Sequence, residues 1–392
     1  MEESNKVIYL DSATATYVNR EVLQEMMPTF NSVYGNPASN HAFGRLANQY
    51  VDVARERIAN GIKAQKDEIY FTSGKEEANA LAILGIARAN KNKGKHIITS
   101  KIEDESILHA CKQLENEGFK VTYVGCDENG VVSLAQIMGA FRQDTILCSI
   151  QVANGEVGTI QHLNAIARTV KEKDIVFHCD ATYAVGLMPL DVEAMPIDAM
   201  TLSSDVIYGP KGVGALYLKK GIEIESTLLG KTEDQKLRLG NLNVPAIVGF
   251  GKAFELATAD VNVNAHKLNI VRNYFVKTLS EKVENVWLNG SIHQRVANIA
   301  NITIDCVDNE ALAVMLDLNG ICVTPVDTRL NPSYVLAAMK KTPEQIHSSL
   351  RFSFGKNVSK QDVDNVVDTI SSIVKKLREL SPLRKSTVKE DK

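Results

Sequence analysis

The stretch that decides the fold consists of Thr145-Ile-Leu-Cys-Ser-Ile150, a helical pattern from Gln161 to Glu172, and Ile175-Val-Phe-His-Cys-Asp180. The first and last runs are short, apolar and rich in β-branched residues, which is typical of buried strands. Between them, apolar residues recur every three to four positions, which indicates a helix. A strand, a helix and a second strand in this order predict two parallel strands joined by a helical crossover.

The same alternation continues on both sides of this unit. Helical patterns run from Glu77 to Asn90 and from Glu105 to Glu117. The further strand candidates are Glu68-Ile-Tyr-Phe-Thr72, His96-Ile-Ile-Thr-Ser100, Lys120-Val-Thr-Tyr-Val124 and Gly214-Ala-Leu-Tyr-Leu218. A second lobe follows the Phe250 helix, with a strand from Val296 to Cys306, a helix from Glu310 to Leu318 and a closing helix from Asp362 to Leu380. The pattern therefore predicts an α/β fold built on a mostly parallel sheet.

The composition agrees with a chain of two packed lobes. The 392 residues are 44% hydrophobic and 23% charged, and the net charge of -3 gives no electrostatic reason to expect nucleic acid as a partner. No apolar run is long enough to cross a bilayer, and the first residues lack the pattern of a secretion signal, so we expect a cytoplasmic protein. The six cysteines form no Cys-x-x-Cys pair, which favours reduced, mostly buried thiols.

Polar loops at the ends of the predicted strands should meet in one cleft, because ligands bind at strand ends in open parallel sheets. These loops are Thr72-Ser-Gly-Lys-Glu76, Glu103-Asp104, Ala153-Asn-Gly-Glu156, the turn at Asp180, and Ser203-Ser-Asp205. The chemistry of the protein is expected to depend on the side chains that these loops bring together.

The segment Thr201-Leu-Ser-Ser-Asp-Val-Ile-Tyr-Gly-Pro-Lys-Gly212 resembles the lysine loop of the NifS/IscS-like cysteine desulfurases, class V aminotransferase-like enzymes that use pyridoxal phosphate (PLP). In that family, Ser-Gly-His-Lys precedes the same Ile-Tyr-Gly-Pro-Lys-Gly. Other segments follow the family's order along nearly the whole chain: Tyr9-Leu-Asp-Ser-Ala-Thr14, Gly35-Asn-Pro-Ala-Ser-Asn-His41, Tyr70-Phe-Thr-Ser-Gly74, His178-Cys-Asp-Ala-Thr182 and Pro332-Ser-Tyr-Val-Leu336. The chain is therefore identified as a degenerate member of this family.

The resemblance implies the fold type I architecture of PLP enzymes. This fold has a large domain with a mostly parallel seven-stranded sheet flanked by helices, and a smaller α+β domain. We expect residues 12–255 to form the large domain, and residues 1–11 with 256–383 to form the small one. Residues 384–392 are highly charged, and we expect a disordered tail there.

Several positions keep the residue that the family uses. By resemblance, Asp180 pairs with the pyridine nitrogen of the cofactor, Ser203 contacts its phosphate, and Arg351 holds the carboxylate of an amino acid substrate. Asn154 keeps one amide of a paired-asparagine segment, whereas Gly155 has lost the other. Asp180 and Arg351 could instead serve only as framework salt bridges or loop anchors.

At other positions the residue differs from the one that the family uses, and the differences affect separate steps of the family's mechanism. Val206 replaces the lysine that forms the Schiff base, and a valine has no amine. Gly74-Lys75-Glu76 replaces a Gly-Ala-Thr phosphate turn, so that a carboxylate lies where a phosphate would bind. Asp104 replaces the histidine that stacks on the cofactor ring. The remaining vestigial cofactor positions are Tyr183 in place of a glutamine, Asp205 in place of the lysine-loop histidine, and Asn241 in the second-subunit motif.

The sulfur-carrying cysteine is also missing. The loop from Thr324 to Asn331 is short and contains no cysteine, and Cys322 aligns with the preceding strand rather than with the loop tip. A substitute Schiff-base lysine would have to be Lys75 or Lys231, which lie on pocket loops, or Lys211, which the family keeps beside its catalytic lysine.

We therefore expect a cysteine desulfurase-like protein of iron-sulfur or sulfur-transfer metabolism. We expect it to use no cofactor and to be a non-catalytic protein rather than an enzyme. It would act as a scaffold, as a homodimer or as the inactive half of a heterodimer with an active desulfurase, and an iron-sulfur scaffold protein is a further candidate partner. One alternative is a residual desulfurase with non-covalent PLP. Another is a divalent metal site made by Glu76, Asp104, Asp180 and Asp205, with His178 behind them. The competing interpretation is that Lys75 and Lys231 close the cleft with salt bridges.

Overall fold

The computed structural model describes residues 7–227, 232–234, 237–325, 328 and 330–380, with no account of the side chains of 232–234 and 238–239. Lys231 and the predicted tail at 384–392 lie outside the described residues. The predicted loop from Thr324 to Asn331 is described only in part, because residues 326, 327 and 329 are not included.

The chain alternates helices and strands along its first half. The α-helices are α1 (Arg20–Met26), α2 (Pro28–Asn31), α3 (Ala42–Ile62), α4 (Lys75–Ala80), α5 (Ile86–Ala89), α6 (Glu105–Asn116), α7 (Leu134–Ala140), α8 (Leu163–Lys171), α9 (Val244–Ala259), α10 (Val261–Lys282), α11 (Asn309–Asp317), α12 (Tyr334–Ala338), α13 (Pro343–His347) and α14 (Lys360–Leu380). A 3₁₀ turn at Lys66–Glu68 precedes the first long strand, and a π-helical turn at Leu81–Gly85 joins α4 to α5.

Six of the seven strands of the large sheet match the runs that the sequence marked, and the strand Ala199–Ser203 was not among those runs. All strands in the described residues are β1 (Ile8–Tyr9), β2 (Ile69–Thr72), β3 (His96–Ser100), β4 (Lys120–Val124), β5 (Thr145–Ser149), β6 (Val176–Asp180), β7 (Ala199–Ser203), β8 (Gly214–Leu218), β9 (Thr232–Asp234), β10 (Arg238–Leu239), β11 (Val286–Asn289), β12 (Ile299–Ile304), β13 (Ile321–Cys322) and β14 (Ser349–Ser353).

Seven of these strands form one sheet in the order β2-β8-β7-β6-β5-β3-β4. The five strands from β7 to β4 pair in parallel, whereas β8 runs antiparallel to both β7 and β2. Residues of β5, β7 and β8 are buried throughout, because helices cover both faces of the sheet. The predicted α/β fold with a mostly parallel seven-stranded sheet is confirmed.

A second core forms around the antiparallel sheet β11-β12-β14. Helices α10 and α14 pack against it through apolar residues such as Phe275 and Val367, and Phe275 contacts the rings of Phe352 and Phe354 on the β14 side. The first strand β1 pairs with β13 and joins this core through Ile8. The division into domains at 12–255 and at 1–11 with 256–383 stays a prediction.

No described helix is both long and apolar enough to cross a membrane. All six cysteines are free, and Cys111, Cys148 and Cys179 are buried, while the other three are half-buried.

Candidate active site

A cavity of about 530 Å³ lies at the carboxyl ends of the parallel strands. Its walls come from α4, the β3–α6 loop, the β5–α8 loop, the end of β6, α12 and β14. The predicted convergence of loops is therefore found for Lys75 and Glu76, Glu103 and Asp104, residues 153–156, and Asp180.

Lys75 projects into this cavity between an acid and a phenol. Its Nζ lies 2.5 Å from Oδ2 of Asp104 and donates a 3.3 Å hydrogen bond to the hydroxyl of Tyr183. The ammonium also lies 5.4 Å from the centre of the Tyr183 ring. Burial alone would lower the pKa of Lys75, but Coulombic interactions with Tyr183, Asp104 and Asp180 raise it above its ordinary value. The resting pair is therefore an ammonium and a carboxylate.

Gly155 explains how Tyr183 fits beside Lys75. A Cβ atom added to Gly155 would lie 2.2 Å from Cε2 of Tyr183, which is far inside van der Waals contact. The Tyr183 ring thus fills the volume that the side chain of residue 155 would need. Positions 155 and 183 both differ from the family pattern, and the two differences are coupled because their side chains would compete for the same space. Tyr183 also contacts Lys75, a third position that differs from the family.

Asp180 lies at the floor of the cavity and is buried. Its Oδ2 accepts a 2.8 Å hydrogen bond from Nδ2 of Asn79, and its Oδ1 accepts one from the amide of Thr182. Burial and the nearby charge of Asp104 raise the pKa of Asp180. The pKa of Asp104 itself is lowered: burial opposes this, but the Lys75 ammonium outweighs it.

Glu103 is the most deeply buried acid of the site. Burial raises its pKa to about 8, although the Ser100 hydroxyl and the amide of Gln151 both donate hydrogen bonds to its carboxyl group. Its backbone carbonyl accepts a 2.7 Å hydrogen bond from the Tyr334 hydroxyl. Burial therefore favours the protonated form of Glu103, and the hydrogen bonds of its side chain and carbonyl fix the loop on which Asp104 lies.

Arg351 enters the cavity from β14. Its Nη2 donates to Oδ1 of Asp11 at 2.9 Å and to the hydroxyl of Thr14 at 2.6 Å, and its Nη1 donates to the Gly155 carbonyl at 3.1 Å. Its Nε makes no hydrogen bond to any described residue. In this structure the guanidinium forms an ion pair with Asp11, and its role toward a substrate carboxylate stays a prediction.

Several predicted site residues lie away from the cavity wall. The Ser203 hydroxyl donates a 2.7 Å hydrogen bond to Oδ1 of Asp205, and neither residue lines the cavity. Val206 packs against the main core and lines a separate space of about 40 Å³ with Val185 and Tyr208. Asn241 faces Asn36, which donates to its side chain at 3.3 Å. Asn154 does line the cavity, and its Nδ2 donates to the Ile102 carbonyl at 3.1 Å.

The described residues give no support to the alternative of a metal site at Glu76, Asp104, Asp180 and Asp205, which stays a prediction. Within the described ranges, no group of three or more histidine, cysteine, aspartate or glutamate side chains is placed to hold a metal ion. The reason is that Lys75 pairs with Asp104, Asn79 binds Asp180, and Asp205 accepts from Ser203.

His178 cannot assist such a site either. Its ring nitrogens hydrogen-bond Ser149 and Thr201 inside the sheet, and burial lowers its pKa to about 3. The histidine is therefore a neutral core residue.

Cys322 lies in β13, opposite Tyr9 of β1, as the alignment with a strand predicted. Burial and the nearby Asp317 and Asp11 raise the pKa of its thiol. A raised pKa keeps the sulfur protonated, which makes it a poor nucleophile.

From the sequence, Glu103 was placed on a loop of the cleft, but Asn79 and Asp11 were not recognised as parts of the site. For Asn79 a signal was present, because it follows Lys75 by four residues, the spacing that places two side chains on one face of a helix. The contact between Asp11 and Arg351 joins residues 340 positions apart, and no local pattern could show it.

A family model described as aminotransferase class-V matches residues 8–366, and the chain belongs to this family. Within it, the chain is an IscS-type cysteine desulfurase homologue. The cysteine desulfurase IscS of Methanosarcina thermophila is 43% identical over 383 residues, covering 97% of this chain and 95% of the relative. The IscS of Clostridium botulinum strain Hall is 42% identical over 385 residues, covering 97% of each.

Solved structures agree with this placement. A NifS-like protein superposes with a TM-score of 0.90 at 31% identity and covers 94% of this chain and 100% of its own. A NifS-like protein from Rickettsia africae gives a TM-score of 0.86 at 26% identity, covering 94% of this chain and 100% of its own.

The expectation that the chain uses no cofactor is wrong, because its IscS and NifS relatives depend on PLP and family membership points to that cofactor. The cavity residues fit it in part. Asp180 is buried and could face a pyridine nitrogen, where PLP supplies an electron sink when bound, and Lys75 is an amine on the cavity wall. Position 206 does not fit, since Val206 has no amine and lies outside the cavity lining.

Proposed function

We propose that this IscS-type protein serves sulfur transfer without performing cysteine desulfuration by itself. In this proposal the cleft binds PLP without a bond to residue 206, and the chain acts as a partner subunit or scaffold for an active desulfurase. The observation that carries the proposal is the Lys75–Asp104 ion pair, which stands where the family places its ring-stacking histidine. A carboxylate engaged by an ammonium cannot act as that imidazole does.

Two further observations support the loss of turnover. Val206 offers no amine, and the sequence between residues 324 and 331 contains no cysteine that could accept sulfur. Cys322, the nearest thiol in sequence, is held in a strand with a raised pKa. An enzyme without its covalent anchor and without its sulfur acceptor lacks two separate steps of the family's reaction.

A subunit interface is supported by an exposed apolar surface on the first helices. Leu23, Met27, Phe30, Tyr34 and Phe43 all carry exposed side chains, and the rings of Tyr34 and Phe43 lie 5.2 Å apart. Clustered exposed aromatic and aliphatic residues mark protein interfaces. We propose that a second chain of the same fold covers this surface. A cytoplasmic location fits the same proposal.

The test of function is sulfide release from L-cysteine in the presence of PLP and a thiol reductant. We expect no release above background from this protein alone, with an active IscS relative as positive control. In a mixture with that relative, we expect a changed rate or a co-eluting complex if the chain is a partner subunit. Turnover by the purified chain that matches the relative would refute the proposal.

The interface is tested by mass in solution. The full chain should run as a dimer by light scattering, and Tyr34→Asp should shift it toward the monomer. Trp287→Asp, which changes an exposed aromatic residue on β11, is the matched control and should leave the mass unchanged. If Tyr34→Asp has no effect on a dimer, this surface is not the interface.

A further inference from the structure

A cavity of about 250 Å³ opens beside β1 and shares no lining residue with the cleft at the strand ends. Its walls include the apolar Val7 and three tyrosines, Tyr9, Tyr17 and Tyr208, and we call it the tyrosine pocket. Tyr9 and Tyr17 are 43% and 52% exposed, so aromatic surface faces water here. Because a protein cavity of about 150 Å³ can hold benzene, the tyrosine pocket has room for one substituted aromatic ring.

The Tyr208 wall of the pocket is held in place by its own contacts. Tyr208 has a φ of 65°, a region that costs energy for a residue with a side chain, so its surroundings must fix it. Its amide donates a 2.8 Å hydrogen bond to the Thr16 hydroxyl, and its own hydroxyl accepts one of 2.7 Å from the Lys356 amide. The Tyr17 ring packs edge-on against it, with 5.1 Å between the ring centres. A wall that is already ordered lowers the entropic cost of binding.

Two lysines beside the pocket form no ion pair with a carboxylate of the described residues. The Lys356 ammonium lies 4.9 Å from the centre of the Tyr208 ring, and both chain neighbours of Lys356 belong to the pocket wall. The Lys211 ammonium donates to the carbonyl of Thr16, another wall residue, at 3.0 Å. Burial lowers the pKa of Lys356, and the charge of the nearby Lys267 lowers it further because two ammonium groups repel each other. An anion near Lys356 would relieve this repulsion.

The acid on the wall of the pocket is Asp362, whose carboxylate is turned toward the start of α14. Its Oδ2 accepts hydrogen bonds of 2.9 and 2.7 Å from the amide and hydroxyl of Ser359. The positive end of the helix dipole lies there as well. The charge of Asp362 is therefore balanced at the helix start, and the three lysines beside the pocket leave the charge around it positive.

We propose that the tyrosine pocket binds a small aromatic anion, with one planar ring against Tyr17 and Tyr208 and a carboxylate on the side of Lys356. Binding removes the exposed faces of these rings from water, and the carboxylate offsets the uncompensated lysine charge. No covalent step is involved. The inference goes beyond the proposed function and does not depend on it, because the cleft and the pocket share no residue.

The experiment measures the binding of benzoate to the full chain by saturation-transfer NMR and titration. Benzamide is the uncharged analogue with the same ring, and cyclohexanecarboxylate is the anion without an aromatic ring. We expect benzoate to bind saturably, and its affinity to fall as the salt concentration rises. Each analogue should bind about fivefold more weakly, since one loses the charge and the other loses the aromatic contact.

Two variants and their matched controls locate the site. Tyr17→Ala removes a half-exposed wall ring and Lys356→Met removes the charge, and each should weaken benzoate binding by about threefold or more. Trp287→Ala changes an aromatic residue that is 47% exposed on β11, and Lys360→Met changes a lysine whose ammonium lies 5.3 Å from the centre of the Tyr274 ring. Neither residue lines the pocket, so both controls should bind benzoate as the unchanged chain does.

Equal binding of benzoate and benzamide overturns the inference, and so does an unchanged affinity in Tyr17→Ala and Lys356→Met or the absence of saturable binding. Removal of residues 1–6 tests a different occupant. If benzoate binds only to the shortened chain, the first residues of the chain itself fill the pocket, and the inference is overturned as well. Binding to the intact chain in the expected order of probes and variants supports it.

Discussion

The steric pairing of Gly155 with Tyr183 makes a sharp prediction for Gly155→Ala. A Cβ at this position would lie 2.2 Å from Cε2 and 2.4 Å from Cζ of the Tyr183 ring, so the ring must move by more than 1 Å to regain ordinary contact near 3.5 Å. Overpacking of this kind costs about 1–3 kcal/mol. Movement of the ring should also weaken its contact with Lys75.

The measurement is a double-mutant cycle on the free energy of unfolding in urea. Gly155→Ala alone should lower this free energy by about 1–3 kcal/mol. In the Tyr183→Ala background the same change should cost almost nothing, because the ring is absent. Gly139→Ala is the control: an added Cβ there meets nothing within 4 Å, so this change in α7 should be neutral or slightly stabilising.

Additivity would refute the reasoning. If Gly155→Ala costs the same with and without the Tyr183 ring, within about 0.5 kcal/mol, the two residues do not share the space that the structure assigns to them.

Three further predictions concern Glu103, Arg351 and Val206. Because burial raises the pKa of Glu103 from 4.5 to about 8, its contribution to stability is full below pH 4.5 and is lost as the pH rises through 8. Glu103→Gln should remove up to about 4 kcal/mol of that pH dependence between urea titrations at pH 5 and pH 9. Arg351→Met leaves the buried Asp11 carboxylate without its ion pair, and should lower the free energy of unfolding by about 3 kcal/mol or more, with partial recovery in Arg351→Lys. Val206→Lys alone should release no sulfide from cysteine, because Asp104 still replaces the histidine; measured turnover would contradict this.

The sequence predicted the large sheet well because each buried strand is a short apolar run bounded by turns or helices. Thr145–Ser149 and Val176–Asp180 lie where their β-branched runs placed them. The antiparallel direction of Gly214–Leu218 could not be read in the same way, since a buried strand has the same apolar pattern in either direction.

The sequence predicted which residues line the site, but only part of how their side chains contact one another. Loop positions brought Lys75, Asp104, Asp180 and Tyr183 together as expected, because strand ends meet at one edge of the sheet. Which acid the lysine would pair with depends on side-chain directions that spacing does not specify. The turning of Ser203 toward its own neighbour Asp205 likewise depends on local hydrogen bonding.

The contact chain from Asp104 through Lys75 and Tyr183 to Gly155 also has an evolutionary consequence. A histidine restored at position 104 would leave the Lys75 ammonium without its carboxylate, and any side chain restored at position 155 would collide with the Tyr183 ring. Reversion of position 104 or of position 155 alone should therefore destabilise the protein. The four departures are coupled in pairs: the family residue can return at 104 only together with a change of Lys75, and at 155 only together with a change of Tyr183.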